Sequence, residues 1–165
     1  GDTLPCILEG DICAKGIEST IVGFHDNAPV IYRQGAISVD AIEFIAGKSK
    51  VLATVKERAT TPGMSPMHYA PRTRFQIVDC ISNFIIQNPI LHIGVLTLGK
   101  TAIEQPNTTC IHLSIMRDLE EASANLYKSM YELDGMELDC IIIERFPEVG
   151  IGKSLNDRIS RASYR

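Results

Sequence analysis

The distribution of apolar residues changes twice along the chain and divides it into three parts. In residues 1–50, short runs rich in isoleucine and valine are broken by Gly, Asp, Asn and Pro, which is typical of short strands. The predicted elements are strands at 5–8, 17–22 and 29–33, and a helix that Ser38 opens and Gly47 ends. Three strands and one helix are too few to cover one another's apolar faces. We therefore expect residues 1–50 to be part of a larger domain.

Residues 51–73 are polar and punctuated by prolines, which indicates a linker. The segment also contains Met64, Met67, His68 and Tyr69, a cluster that is not expected in a linker that only tethers two domains. An imidazole and an aromatic ring are suited to a lid that covers a bound nucleotide and excludes water. They are equally suited to a hydrophobic latch that packs the linker onto a neighbouring domain, and both interpretations stay open.

From Arg74 onwards, apolar strands alternate with helices. Strands are predicted at 75–78, 91–98, 109–113 and 138–143, and helices at 81–87, 118–133 and 153–163. The long helix begins with Asp118 and Glu121 at the spacing of a capping box. Strands that are apolar throughout favour a parallel sheet covered on both faces. Residues 74–165 are therefore predicted to form a small doubly wound, Rossmann-like α/β domain.

The composition is that of an ordinary globular protein: of 165 residues, 45% are hydrophobic and 22% charged. No run of eighteen apolar residues predicts a membrane span, and the first residues lack the features of a signal peptide, so a cytoplasmic protein is expected. The formal net charge of −4 disfavours strong direct binding to nucleic acid. The five cysteines include no Cys-x-x-Cys pair, which favours buried free thiols over a metal site.

Residues 94–101 read Gly-Val-Leu-Thr-Leu-Gly-Lys-Thr and fit the P-loop pattern G-x-x-x-x-G-K-[ST]. In a working P-loop, the strand ends before the first glycine and the next four residues wrap the phosphates. Here those four residues are bulky and are themselves predicted as strand, and Pro106 shortens any helix after Lys100. A phosphate cradle is not expected, although an independent P-loop nucleotidase is kept as an alternative.

Two segments in residues 1–50 carry groups suited to a phosphate or a carboxylate. Ser19 and Thr20 head an apolar strand, and Arg33 leads into a turn at Gly35. Hydroxyls and a planar guanidinium bind such anions well. Each group also has an ordinary interpretation, because hydroxyl residues commonly lie on the solvent face of a strand and a lone arginine is commonly a surface charge.

Charged residues also occur late in the chain. Glu144 and Arg145 follow the last predicted strand, where open α/β sheets bind ligands. The last helix contains Asn156, Asp157 and Arg158. Surface ion pairs and helix caps are the favoured interpretation of both groups.

Several segments, in this order, resemble the threonylcarbamoyl-AMP synthase family in its two-domain, YrdC-like form. They are Gly-Ile-Glu-Ser-Thr-Ile-Val at 16–22, Tyr-Arg-Gln-Gly-Ala-Ile-Ser at 32–38, Pro-Gly-Met at 62–64, His-Tyr-Ala-Pro at 68–71, and the ending with Asn156-Asp157-Arg158. The resemblance implies that residues 1–50 are the C-terminal part of the YrdC-like catalytic domain, 51–73 the interdomain linker, and 74–165 the C-terminal domain. Gln34 stands where the family usually has proline. The family's N-terminal Lys-x-Arg cluster and Ser-x-Asn segment are not found, so a fragment is expected.

This resemblance implies an L-threonylcarbamoyladenylate synthase, which joins L-threonine, bicarbonate and ATP, with Mg²⁺, into threonylcarbamoyl-AMP and pyrophosphate. Other proteins then transfer the threonylcarbamoyl group to tRNA. By the same resemblance, Ser19 and Thr20 would bind L-threonine, Arg33 would bind the ATP phosphates, and His68 and Tyr69 would close over the substrates. The resemblance assigns no certain catalytic residue and no protein-held metal, and the fragment alone is expected to be inactive. A non-catalytic regulatory or interaction module is the alternative from another class.

Overall fold

The computed structural model describes Cys6 and residues 14–52, 70–103 and 105–164. Within these residues the elements, in chain order, are β1 (Ile21–His25), β2 (Ala28–Arg33), α1 (Val39–Ala46), β3 (Lys50–Val51), β4 (Arg74–Ile77), α2 (Ile81–Gln87), β5 (Ile93–Thr97), β6 (Thr108–His112), α3 (Leu119–Asp134), β7 (Cys140–Ile143) and α4 (Gly152–Ala162). None of the helices in the described part of the chain is long and apolar enough to cross a membrane.

The described strands form two sheets. The first has the order β1-β2-β3, with β1 antiparallel and β3 parallel to β2. The second has the order β4-β7-β5-β6, and all its neighbours are parallel. The prediction of a doubly wound parallel sheet from the apolar strands is therefore confirmed.

Helices cover both faces of the parallel sheet. On one face, α2 packs Ile81 and Ile85 against strand residues such as Val95 and Ile142. On the other face, α3 and α4 contribute Leu126 and other apolar side chains to the larger core. The chain therefore leaves the sheet toward opposite faces after different strands, which opens a crevice at the carboxyl edge.

One strand predicted in the first part was wrong in position, and one observed strand was not predicted. The strand predicted at 17–22 begins at Ile21 and runs to His25, because Asp26 and Asn27 both adopt left-handed backbone angles and close a two-residue hairpin. Such a turn fixes the register of both strands. The two residues of β3 fall at the edge of the predicted linker and pair with β2 through contacts distant in sequence. Apart from Cys6, the strand predicted at 5–8 lies outside the described residues.

The N-terminal cap of α3 differs from the predicted capping box. Asp118 Oδ1 accepts hydrogen bonds from the backbone N–H groups of Glu120 and Glu121, at 2.7 and 3.0 Å. The Glu121 carboxylate, however, accepts from the Ser114 hydroxyl at 2.5 Å, and that hydroxyl oxygen in turn accepts from the Asp118 N–H. Ser114 thus links the Glu121 carboxylate to the Asp118 backbone N–H, two groups that bond directly in a capping box.

Asp134 joins the end of α3 to the start of β4. Its Oδ1 accepts from the Thr73 backbone N–H at 2.7 Å, and Arg72 Nε lies 3.7 Å from its Oδ2. Burial acts to raise the pKa of the Asp134 carboxyl, but hydrogen bonds from the Thr73 and Arg72 backbone outweigh it, and the net pKa lies below the ordinary value. A lowered pKa contributes stability that is present above the pKa of the unfolded chain and is lost as the pH falls through the folded-state pKa.

Replacing Asp134 with asparagine is therefore expected to destabilise the protein in a pH-dependent way. The free energy of unfolding at pH 7 should fall by about 1–2 kcal/mol, because the charged acceptor is lost while the shape is kept. The difference from the parent should shrink as the pH falls below about 4, where the aspartate of the unfolded chain takes up a proton, and should be gone below the lowered folded-state pKa. Urea unfolding at several pH values measures this, with the exposed Glu132→Gln on the same helix as the control. A difference that is constant across pH would contradict the assignment.

Candidate functional site

The fold brings Ser19 and Arg33 together. Arg33 ends β2, and its guanidinium donates from Nε to the Ser19 carbonyl at 3.0 Å and from Nη2 to the Ser19 hydroxyl oxygen at 3.2 Å. Ser19 is exposed and Arg33 is half-buried. Because the Ser19 hydroxyl acts as an acceptor toward Arg33, its own proton remains able to donate to a ligand. The pair thus places a guanidinium cation and a hydroxyl donor side by side.

Thr20 lies beside this pair but is committed to the backbone. Its hydroxyl donates to the Ile37 carbonyl at 2.6 Å and accepts from the Ile37 N–H at 3.0 Å. A hydroxyl carries one proton, so Thr20 has none left for a ligand in this arrangement. Its side chain instead fixes the segment before β1 against the turn after β2.

The turn at Gly35 presses directly onto the segment that carries Ser19. A Cβ atom at Gly35 would lie 2.3 Å from the Glu18 carbonyl oxygen, closer than any side chain tolerates. The Ala36 N–H donates to that same carbonyl at 3.0 Å. From the other side, the Ser154 hydroxyl of α4 donates to the Gly35 carbonyl at 2.8 Å. Glycine is required here because two backbones meet.

Arg158 of α4 supports the Ser19–Arg33 pair from beneath, and only 1% of it is exposed. Its Nε donates to Glu18 Oε2 at 3.0 Å, and its Nη2 donates to the Gln34 carbonyl at 2.8 Å. Its Nη1 donates to Asp157 Oδ2 at 2.6 Å. Glu18 and Gln34 are the chain neighbours of Ser19 and Arg33, so one guanidinium fixes the backbone beside both.

The interpretation of Asn156, Asp157 and Arg158 as surface groups was therefore wrong. Asn156 and Arg158 are buried, and Asp157 also accepts from Arg161 Nε at 2.9 Å. A sequence signal existed, since Arg158 and Asn156 alternate with Leu155 and Ile159 on the side of α4 that faces the core. The charges alone predicted that these side chains face solvent, because arginine is rarely buried unless it is paired.

The P-loop pattern does not form a phosphate cradle. Residues 94–97 lie inside β5, which pairs with β6 on one side and β7 on the other. Val95 and Leu96 are fully buried, and the described residues between Lys100 and β6 contain no helix. The backbone N–H groups that a P-loop offers to phosphate are used here by the sheet, as the bulky sequence predicted.

In the described residues, neither the contact between Cys110 and His112 nor any group of metal-ligating side chains forms a further candidate site. Thr97 Oγ1 donates to the Gly99 carbonyl, so the 2.8 Å contact with His112 Nδ1 requires the imidazole to donate. Cys110 Sγ lies 3.9 Å from the same nitrogen, and burial raises the pKa of its thiol, which disfavours a nucleophilic thiolate. No three His, Cys, Asp or Glu side chains converge on a metal position in this part.

His68 and Tyr69, the predicted lid, lie outside the described residues. The described chain stops at Leu52 and resumes at Ala70. Whether the two side chains cover the Ser19–Arg33 pair therefore stays a prediction.

Comparison with known proteins identifies relatives over nearly the whole chain. Residues 37–163 match a family model described as the C-terminal domain of threonylcarbamoyl-AMP synthase. The threonylcarbamoyl-AMP synthase of Bacillus subtilis (strain 168) is 30% identical over 166 residues, which cover 95% of this chain and 48% of that protein. The enzyme of the same name from Pyrococcus abyssi (strain GE5 / Orsay) is 26% identical over 97% of this chain and 49% of its own length.

A solved structure supports the same fold. The crystal structure of P. abyssi Sua5 complexed with L-threonine superposes with a TM-score of 0.80 at 24% identity, and covers 98% of this chain and 50% of that one. This chain thus spans about half the length of the relatives that it matches.

Proposed function

Because the chain belongs to the threonylcarbamoyl-AMP synthase family, we propose that it forms the second half of an L-threonylcarbamoyladenylate synthase. The full-length enzyme would join L-threonine, bicarbonate and ATP and release pyrophosphate. This chain alone would be inactive, since it matches 48% of the Bacillus relative. Other proteins would transfer the threonylcarbamoyl group to tRNA. The enzyme would act in the cytoplasm.

The observation that carries the proposal is the contact between Arg33 and Ser19. In the reaction, the carbamate oxygen of N-carboxythreonine attacks the α-phosphorus of ATP, and pyrophosphate leaves with its bonding electrons. Negative charge grows on the phosphate oxygens, and the fixed guanidinium of Arg33 would stabilise it. The neighbouring Ser19 hydroxyl would donate to L-threonine, the ligand with which P. abyssi Sua5 forms its crystallised complex.

The other predicted groups take supporting roles in this proposal. Thr20 would position the Ser19 segment through its two hydrogen bonds with Ile37. His68 and Tyr69 would close over the substrates and protect the carbamate from water. Mg²⁺ would bind together with ATP, through the phosphate oxygens that this cation commonly contacts in proteins.

The proposal predicts pyrophosphate release that depends on threonine and bicarbonate. We expect it from the full-length enzyme and not from the 165-residue chain alone. Replacing Ser19 with alanine should raise the KM for L-threonine about tenfold, because one hydrogen bond to a charged ligand is lost. The KM for ATP should change much less. Ser163→Ala, a hydroxyl deletion at the end of α4, is the matched control.

Two results would contradict these assignments. A full-length enzyme that releases no pyrophosphate in response to threonine would remove the proposed activity and leave a non-catalytic module as the better interpretation. An unchanged threonine KM in Ser19→Ala, in an otherwise active enzyme, would remove only the role of Ser19.

A further inference from the structure

A separate cavity of about 370 Å³ lies at the carboxyl edge of the parallel sheet. It is bounded by the ends of β5 and β7 and by the first turn of α2, and none of its lining residues belongs to the Ser19–Arg33 pair. The chain after β4 enters α2 on one face of the sheet, whereas the chain after β7 enters α4 on the other. Crevices where the chain diverges in this way are the usual ligand sites of open α/β sheets.

The lining of the cavity combines apolar and cationic residues. Leu98, which is half-buried, and the exposed Pro147 offer apolar surface, and Arg117 and Arg145 are exposed residues of the lining. Leu96 and Phe146 also border the cavity but are buried. The hydroxyls of Ser82 and Thr101 complete the polar lining.

The carboxylate in the lining is already engaged. Glu144 Oε1 accepts from the Ile81 backbone N–H at 2.9 Å, at the start of α2. Because Glu144 accepts this hydrogen bond, its carboxylate is less available to form an ion pair with Arg117 or Arg145. The lining therefore carries a net positive charge, in a chain whose formal net charge is −4.

Arg117 is held over the cavity by an unusual backbone. Its φ angle is +62°, in the left-handed region that a non-glycine residue rarely adopts. Its side chain crosses Gly99, where a Cβ atom would lie 2.9 Å from Arg117 Cγ. Among the described residues, Arg117 takes part in no ion pair.

Arg145 is similarly available to a ligand. In the described part of the chain, its guanidinium makes one long hydrogen bond, 3.4 Å from Nη1 to the Ser160 hydroxyl. Arg145 is exposed, so it can turn toward the cavity without breaking a buried contact. Within the described ranges, two arginines that form no ion pair with a carboxylate thus border one crevice.

From this geometry we propose that the crevice binds a small organic phosphate of about the size of a nucleoside monophosphate. The phosphate contacts Arg117 and Arg145, whose planar forks match its oxygens. The organic part packs against the accessible apolar lining at Leu98 and Pro147. The volume lies at the small end of the range for ligand pockets, about 300–1,000 Å³. The site is distinct from the proposed ATP site at Arg33 and does not depend on it.

Calorimetric titration of the 165-residue chain tests the proposal, with AMP, adenosine and inorganic phosphate as probes. AMP should bind saturably, and at least tenfold more tightly than either adenosine or phosphate alone. Arg117→Gln and Arg145→Gln should each weaken AMP binding about tenfold or more, since each removes a charge-assisted contact. Lys128→Gln makes the same charge change on the exposed side of α3 and should have no effect.

Further variants separate this crevice from other sites. Lys100→Ala should retain AMP binding, whereas a P-loop would lose it. Arg33→Ala should also retain it, whereas binding at the proposed ATP site would be lost. Arg117→Gly should weaken binding without lowering the thermal unfolding midpoint, because glycine accepts the left-handed angle. This last variant keeps the test valid if Arg117→Gln folds poorly.

Three outcomes would overturn the proposal. One is the absence of saturable AMP binding at millimolar concentrations. Another is AMP binding that survives in both Arg117→Gly and Arg145→Gln. The third is inorganic phosphate that binds as tightly as AMP, which would show that the organic part of the ligand makes no contribution to binding.

Discussion

Replacing Arg33 with alanine is expected to lower kcat/KM of the full-length enzyme about a hundredfold, equivalent to about 2–4 kcal/mol of lost transition-state stabilisation. In the proposed reaction, charge on the reacting phosphate grows, so the proposed contact with Arg33 should matter most in the transition state. The KM for threonine should rise as well, because Arg33 also donates to the Ser19 hydroxyl and carbonyl. Pyrophosphate release at varied ATP and threonine measures both effects.

Two further variants define what the Arg33 side chain contributes. Arg33→Lys should recover only part of the activity, because an ammonium keeps the charge but cannot donate from two nitrogens in one plane. Lys48→Ala removes an exposed cation from the same part of the chain and should leave kcat/KM unchanged. Full activity in Arg33→Ala would mean that the guanidinium only braces the Ser19 segment.

Replacing Arg158 with alanine is expected to lower the free energy of unfolding by about 3–5 kcal/mol, the cost of breaking a buried charge network on one side. Glu18 and Asp157 would lose their cationic partner, and the Gln34 carbonyl would lose a donor. Urea unfolding measures the loss. The exposed Lys128→Ala on α3 is the control and should change the free energy of unfolding by less than about 0.5 kcal/mol.

The positioning role of Arg158 needs a readout that stability alone would not move. A double-mutant cycle of Arg158→Met with Glu18→Gln should give a coupling energy of about 1–3 kcal/mol. In the full-length enzyme, Arg158→Lys should raise the KM for threonine at a temperature at which the variant remains folded. Additive effects in the cycle, together with unchanged KM values, would contradict the role.

The features that sequence predicted well depend on residues close together in the chain. Ser38 caps α1 by accepting from the Ala41 N–H at 3.2 Å, and α2 spans the predicted residues 81–87. The apolar filling of residues 94–97 correctly excluded a P-loop. Capping, helical period and strand burial leave signals within about four to eight residues, so they can be read from the sequence. Ser19 and Arg33 were candidates because hydroxyls and a guanidinium bind anions, whereas their specific roles came from the family resemblance and stay predictions.

The features that sequence did not predict depend on residues far apart. The helical period places Arg158 beside Leu155 and Ile159 on the buried side of α4, but nothing local to the helix identifies its partners, because Glu18 and Gln34 are 140 and 124 positions away. The left-handed backbone angle of Arg117 can likewise be related to a contact only in the fold, which places the Arg117 side chain across Gly99. Sequence by itself thus determined the helices, the apolar strands and the parallel sheet, since these follow from local periodicity. Tertiary structure decided which charged groups meet and which are buried, because the energy of a charge is set by partners that only folding brings within hydrogen-bond distance.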